Sequence, residues 1–229
     1  MAKVKFSALI SEMRNKLNGS VFARNRGGAY LRNKVTPTNP QTIAQVQARS
    51  LLTSFSQSWR ALTQEQRAAF NAVVDQWAKT DVFGDVVNPS GSALYIRLNI
   101  NISLAGGTAL VTPPTPVGAD ALSDLSVTAD SSSSSVSLVF APAAVPADHA
   151  MYVEATPNLS PGISNANSKY RYIDTLAATT ASPAALGTAY LAKFGSLVAG
   201  QKLFVRAKFI NKLTGEVSQK LVAQTIIVA

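Results

Sequence analysis

The residue types that carry chemistry are few in this chain. There are no cysteines and a single histidine, His149, so thiolate nucleophiles and Cys-based metal sites are excluded. A hydrolytic triad needs a nucleophile, a base and an orienting acid that converge in space. Asp148 neighbours His149 in "VPADHAM", and in an extended segment adjacent side chains diverge, so His149 reads as a solvated loop residue between two strands. A metal site needs three or four ligands, and one histidine leaves only scattered carboxylates. "SGSALY" and "NGSVFA" lack the second glycine of a nucleophile elbow. Gly27-Gly28 has no following Lys-Ser/Thr and reads as a turn rather than a phosphate loop. The expectation is a protein that is not an enzyme, with no catalytic residues, cofactor or metal.

One segment stands above this background. "GSVFARNRGGAYLRNKVTPTNPQT", Gly19 to Thr42, holds four cations, Arg24, Arg26, Arg32 and Lys34, and no acid. It belongs to a wider asymmetry. Residues 1–60 hold ten Lys or Arg and one acid, Glu12, whereas residues 61–229 hold eleven of each, so the first quarter accounts for the whole net charge of +9. Such an arm faces a polyanion or an acidic protein surface. With Phe22 and Tyr30 between the cations, it is suited to track a phosphate backbone and stack on bases. It is equally suited to dock on an acidic protein, where charges set orientation. The plainest alternative is an exposed hairpin whose charges keep an edge strand from aggregating. Alternating strands with Gly-rich tips are good material for adding to a partner's sheet, and no recognised nucleic-acid module accompanies the charge. Protein docking is therefore the favoured expectation, with Phe22, Arg24, Arg26, Tyr30, Arg32 and Lys34 as the docking residues.

The elements that position these residues fall into three zones. In the first, Asn18-Gly19 and Gly27-Gly28 are tight-turn signals around the alternating runs "SVFARN" and "AYLRNKV", which predicts a β-meander. The preceding "ALISEMRNKL" reads as a first strand or a short helix. A two-residue Gly27-Gly28 loop places Val21 and Ala23 beside Tyr30 and Arg32; a three-residue loop starting at Arg26 places Phe22 and Arg24 there instead, making one aromatic, basic face. The second zone, residues 39–106, has helical period. Asn39 suits an N-cap and Pro40 the first helical position. Leu52, Phe55, Trp59 and Leu62 make one apolar stripe, and Thr63 with Gln66 forms a capping box for a second helix carrying Phe70, Val73, Val74 and Trp77. Trp59 and Trp77 lie on these stripes and read as core anchors, and Arg49, Arg60 and Arg67 as a solvated face. Leu94, Leu98 and Ile102 favour a third helix ending at Gly106, although "LNINIS" also alternates like a strand.

"TPPTP", Thr112 to Pro116, is stiff and extended and reads as a linker. Beyond it, seven strands are expected near 122–129, 134–140, 150–156, 169–175, 186–194, 202–211 and 217–228. Val136, Leu138 and Phe140 share a face, as do Leu203, Val205, Ala207 and Phe209, which predicts a β-sandwich. Hydrophobic residues make up 47% of the chain and charged residues 14%, enough for a core and low for a free surface. The start has no apolar run followed by a cleavage site, which argues against a secretory signal, and no run of about 18 apolar residues spans a membrane.

Two resemblances extend these readings. The G-x-V-F and G-x-Y-x-R halves of the hairpin (Gly19–Phe22, Gly28–Arg32), the N-P-x-T-x-x-Q helix start at Asn39 and the W-x-x-L-T…Q-R-x-A-F turn from Trp59 to Phe70 resemble a pattern in tailed-phage and prophage proteins, including those of crAss-like phages. The resemblance covers about residues 19–70 and implies a virion structural role. "LVAGQKLFVRAKFINKLTGEVS" is similar to the F–G region of fibronectin type III and related Ig-like domains, with Leu197, Gly200, Val205, Arg206, Asn211, Gly215 and Ser218 in matching places and Leu203 where that family usually has its corner tyrosine. Together they imply an α+β multidomain chain: a basic β-hairpin and helical docking domain over 1–111, a Pro-rich linker over 112–118, and an Ig/fibronectin-III-like β-sandwich over 119–229. The implied role is an auxiliary or decoration protein of the capsid, in the virion and assembled in the bacterial host cytoplasm, with the major capsid protein, other virion proteins or copies of itself as partners. A neck or tail component and an internal DNA-binding protein are the alternatives.

Overall fold

The computed structural model describes residues 2–7, 9–25 and 27–229. Among them the chain is α+β, with four α-helices and four antiparallel sheets. The N-terminal sheet has the order β1-β4-β3-β2, from β1 (Ala2–Lys3), β2 (Asn15–Leu17), β3 (Ser20–Asn25) and β4 (Gly28–Asn33). Residues 15–17 thus form the strand alternative, and Asn18, at φ +53°, supplies the left-handed turn before Ser20.

Helix α1 (Ile43–Ala61) starts three residues later than the expected start at Pro40. Gln41 sits at φ +49°, which breaks helical geometry, so Thr42 caps instead, its Oγ1 accepting from the Gln45 amide at 3.4 Å. Asn39 Oδ1 accepts from the Arg49 guanidinium at 2.7 Å. Leu62 and Thr63 are both extended, and the Thr63–Gln66 capping box opens α2 (Gln64–Ala72) as expected. This helix is shorter than the Phe70–Trp77 periodicity implies: residues Val74–Trp77 tighten into a 3-10 turn that still turns Trp77 inward. A small hairpin, β5 (Lys79–Thr80) and β6 (Val86–Val87), leads to α3 (Gly91–Leu104), capped by Ser90. "LNINIS" is therefore helical, and its asparagines explain the ambiguity. Asn99 is buried and fully used: its Oδ1 accepts from the Leu110 amide at 2.6 Å and its Nδ2 donates to the Tyr95 carbonyl at 3.0 Å. Asn101 Nδ2 donates to the Gly215 carbonyl at 2.8 Å.

Leu62, Phe70, Trp77, Leu94, Tyr95 and Leu98 form the helical core, with Phe55 and Trp59 packed against it. Phe70 meets Tyr95 edge-on at 5.3 Å and Trp59 at 6.0 Å. Leu52, expected on the same stripe, is 50% exposed, because α1 packs through its C-terminal half only.

The C-terminal half carries two antiparallel sheets, of order β10-β9-β12-β13 and β11-β8-β7, which share a core without closing into the Ig-like sandwich expected, because the second sheet is reduced to two full strands and a two-residue edge. The first contains β9 (His149–Ala155), β10 (Arg171–Leu176), β12 (Lys202–Asn211) and β13 (Leu221–Ile226); the second contains β7 (Asp124–Asp130), β8 (Ser135–Ala141) and the two-residue β11 (Ala184–Ala185). Val136, Leu138 and Phe140 meet Leu203, Val205, Ala207 and Phe209 across one core, as their alternation predicts. The strand expected over 186–194 is instead helix α4 (Gly187–Phe194). Leu186, Tyr190 and Phe194 recur every fourth residue, a period of one helix turn, and Tyr190 is fully buried with its hydroxyl 3.1 Å from the Thr156 carbonyl. Phe204 is buried on the outer side of β12 beneath Leu159, Ala166 and Tyr170, where alternation places a surface residue.

His149 is not a solvated loop residue. It opens β9, is buried, and its Nε2 accepts from the Asp120 amide at 3.2 Å while the ring meets Phe209 edge-on. The linker has no regular secondary structure, and its end is held by Glu216, whose Oε2 accepts from the amides of Val117 at 3.1 Å and Gly118 at 2.8 Å.

Two substitutions probe the helical core and its contact with the strands that follow it. Phe70→Ala removes the centre of the aromatic cluster and is expected to lower stability by about 3–5 kcal/mol. Gly215 has φ +74° and lies so close to α3 that a Cβ would stand 2.5 Å from the Leu98 carbonyl oxygen. Gly215→Ala should therefore cost more than the roughly 1–2 kcal/mol of left-handed strain alone. Urea unfolding midpoints of the two variants against the unaltered chain check both.

Candidate docking interface

The hairpin register decides which side chains share a face. Asn25 pairs with Gly28, Ala23 with Tyr30, and Val21 with Arg32, so Gly28 opens β4 rather than closing a Gly27-Gly28 loop. Val21 and Ala23 thus accompany Tyr30 and Arg32, and Phe22 and Arg24 lie on the opposite face with Leu31 and Ala29. The single aromatic, basic face does not form. Phe22 and Tyr30 are half-buried; Arg24, Arg32 and Lys34 are exposed. Arg26 lies outside the described residues. Lys34 extends the hairpin through its amide, which donates to the Gly19 carbonyl at 2.8 Å. Lys3 pairs in register with Tyr30 and Lys16 with Val21, so the Tyr30 face carries Lys3, Lys16 and Arg32.

The cations differ in how they are engaged. Glu12 Oε1 lies 2.9 Å from Arg14 and 3.6 Å from Arg24, and the Arg14 guanidinium holds the Glu12 carboxyl below its ordinary value. Lys3 reaches Asp81 at 2.6 Å and Lys5 reaches Asp85 at 2.8 Å, so β1 is clipped to the hairpin loop after β5. Lys5 also lies over the Phe83 ring at 5.1 Å. Asp81 accepts from the Phe83 and Asp85 amides as well, and the Lys3 ammonium, with those amides, holds its carboxyl below its ordinary value.

The more telling feature is what this region lacks. Among the described residues, the first buried one in the chain is Leu62. None of β1 to β4 buries a residue, and neither does any of the 19 positions of α1. Leu17, Val35 and Ile43 are 62%, 67% and 79% exposed. A sheet and a helix with no core of their own present apolar and basic groups together to solvent. Sequence reasoning found the cations but not this exposed apolar set. The available signal was that Ile43 and Val46 continue the apolar spacing off the Phe55–Trp59 stripe, which at about 3.6 residues per turn puts them on another side of the helix.

Among the described residues, no group of three or more His, Asp or Glu side chains stands together as a metal site requires, and no helix is long and apolar enough to cross a membrane.

No family model and no curated protein matches the chain. Among solved structures it is similar to an Fn3-like protein from Clostridium thermocellum, with 18% identity over 45% of this chain and 86% of that one, at a TM-score of 0.28.

The β1 clip has a definite pH dependence. The folded Asp81 pKa is depressed, so its stabilising contribution is full above the ordinary carboxylate value and is lost as pH falls through the folded one. The Val4 amide, which donates to the Ala29 carbonyl at 3.0 Å, should keep its NMR shift from neutral pH to mild acid and move toward the unpaired value in stronger acid. Asp81→Asn should produce that move already at neutral pH.

Proposed function

We propose that this chain is a non-enzymatic structural component of a larger particle, attached to it through its first 61 residues. The observation that carries the reading is the coincidence of the whole net charge excess with a segment in which no described residue is buried. A folded chain leaves a sheet, the first half of a 19-residue helix and several large apolar side chains uncovered where a partner covers them. The partner is acidic, because Arg32 and Lys34 have no carboxylate within ion-pair distance among the described residues. Phe22, Arg24, Arg26, Tyr30, Arg32 and Lys34 are the docking residues, with Phe22 and Arg24 on one face of the hairpin and Tyr30 and Arg32 on the other.

The particle is the virion of a tailed phage, and the position within it is the shell, as a capsid auxiliary or decoration protein on the major capsid protein. This finer reading rests on the motif resemblance over residues 19–70. The C-terminal two-sheet unit is read as a divergent Ig/fibronectin-III-like domain that projects outward or meets neighbouring copies. Its support is local: Asn211 Oδ1 accepts from the amides of Leu213 and Thr214, Gly215 turns the corner, and Ser218 rejoins Phe209 through two hydrogen bonds. A neck or tail component would share these features and differ in copy number: hundreds of copies per particle mark a shell protein and about a dozen a neck ring.

The net charge of +9 favours one further reading, a DNA-binding protein inside the particle. Against it, Arg24 and Arg32 face opposite sides and Arg24 is engaged by Glu12. Reversing the charge at Arg24, Arg26, Arg32 and Lys34 should abolish incorporation into particles while leaving the unfolding midpoint unchanged; full occupancy of the reversed variant would falsify the attachment. A DNA titration at low salt should detect no binding, whereas tight binding that weakens steeply with salt would favour the DNA reading.

A further inference from the structure

A second uncovered surface is lined by residues outside the basic hairpin. The N-terminal half of α1, the C-terminal end of α3 and the outer face of the β9–β10 pair enclose an open groove of about 790 Å³, lined by Val46, Leu51, Ile100, Leu104, Tyr152 and Tyr172 among others. Its walls are mostly apolar. Val46 is 50% exposed and Tyr172 45% exposed, and the two tyrosine rings stack at 5.0 Å. Thr175 Oγ1 donates to the Leu104 carbonyl at 3.4 Å, fixing the floor where helix meets sheet.

Neither of the two helices that wall this groove, α1 and α3, contains an Asp or Glu. Lys208 stands over the Tyr152 ring at 5.2 Å, is half-buried, and has no carboxylate within ion-pair distance among the described residues. The acid on that face of the sheet, Glu154, is already taken: Arg206 grips both its oxygens at 2.5 and 2.9 Å, and Lys220 lies 3.5 Å away. Burial, with Lys220 nearby, holds the Lys208 ammonium below its ordinary value, so Lys208 gains from a new carboxylate more than a solvated lysine does.

We propose that this groove seats an amphipathic segment of a partner protein, apolar on its inward side and acidic at its edge, with Lys208 as the charge anchor. A second copy of this chain fits less well. Residues 1–60 carry the whole charge excess, and copies joined through α1 would bring two acid-free helices together. The groove goes beyond attachment through the basic hairpin and is read out on the free chain, so its failure leaves that attachment untouched.

The test is an NMR titration of the isotopically labelled full chain with two short synthetic helices of the same apolar pattern, one of Leu and Glu and one of Leu and Lys. The Leu/Glu peptide should shift resonances of Val46, Ile100, Tyr152 and Tyr172, and the Leu/Lys peptide should not. Val46→Asp, at a half-exposed site that leaves folding intact, should weaken the acidic peptide roughly tenfold, the loss expected of a central contact. Lys208→Glu should reverse the preference between the peptides. If that variant fails to fold by circular dichroism, the preference on the unaltered chain and the Val46→Asp result still decide. Equal response to both peptides, shifts confined to other surfaces, or no shifts overturn the proposal. Concentration-dependent groove shifts without peptide, with a dimer in sedimentation, overturn it in favour of a second copy.

Discussion

The structure depends on one helix being buried on two sides. On one side α3 gives Leu94, Tyr95 and Leu98 to the helical core; on the other it rests against the β12–β13 corner, where Gly215 approaches the Leu98 carbonyl and Asn101 binds the Gly215 carbonyl. Just past its C-terminus Ala105 joins Ala150 and Ile210, and Gly107 lies against the Lys212 backbone. A side chain at Gly215 would push the helix off the sheet. The helical module is thus completed by the strands that follow it, and the linker is a strap over a joint already closed, held down by the Glu216 carboxylate.

This joint divides the chain by physics rather than by sequence distance. From Leu62 onward, stability comes from apolar burial: two main clusters, one aromatic and helical and one between sheets, with two smaller ones around Phe204 and at the end of α3. Before Leu62, order comes from backbone pairing, the Thr42 cap, a few ion pairs at the surface and the packing of Phe55 and Trp59 onto the helical core. Exposed ion pairs of this kind contribute little and are screened by salt. The first part of the chain therefore responds to ionic strength chiefly through its exposed charges.

Much of this was legible in the sequence, and the places where it was not have identifiable causes. The Thr63–Gln66 box, the Asn18 turn, the third helix and β12 follow from local rules that tertiary contacts reinforce. Helix α4 was missed because "GTAYLAKF" lies among strands, and the apolar spacing of Leu186, Tyr190 and Phe194 over the core outweighed that context. The start of α1 was misplaced because nothing in the sequence marks Gln41 as left-handed. His149 was misread because its partner is a backbone amide, that of Asp120, which no side-chain motif announces. At the docking region the cations were plain to see, but which face each occupies depended on a single loop residue, and the uncovered state of α1 is a property of what packs elsewhere.

That the core begins only at Leu62 separates two kinds of selection. A substitution in the arm ahead of Phe55 alters what the chain grips more than whether it folds, so that part is free to drift with a changing partner surface. A substitution after Leu62 is judged first by the fold. Lineages descended from one such ancestor would keep their interior and rewrite their grip, each half of the molecule diverging at its own pace.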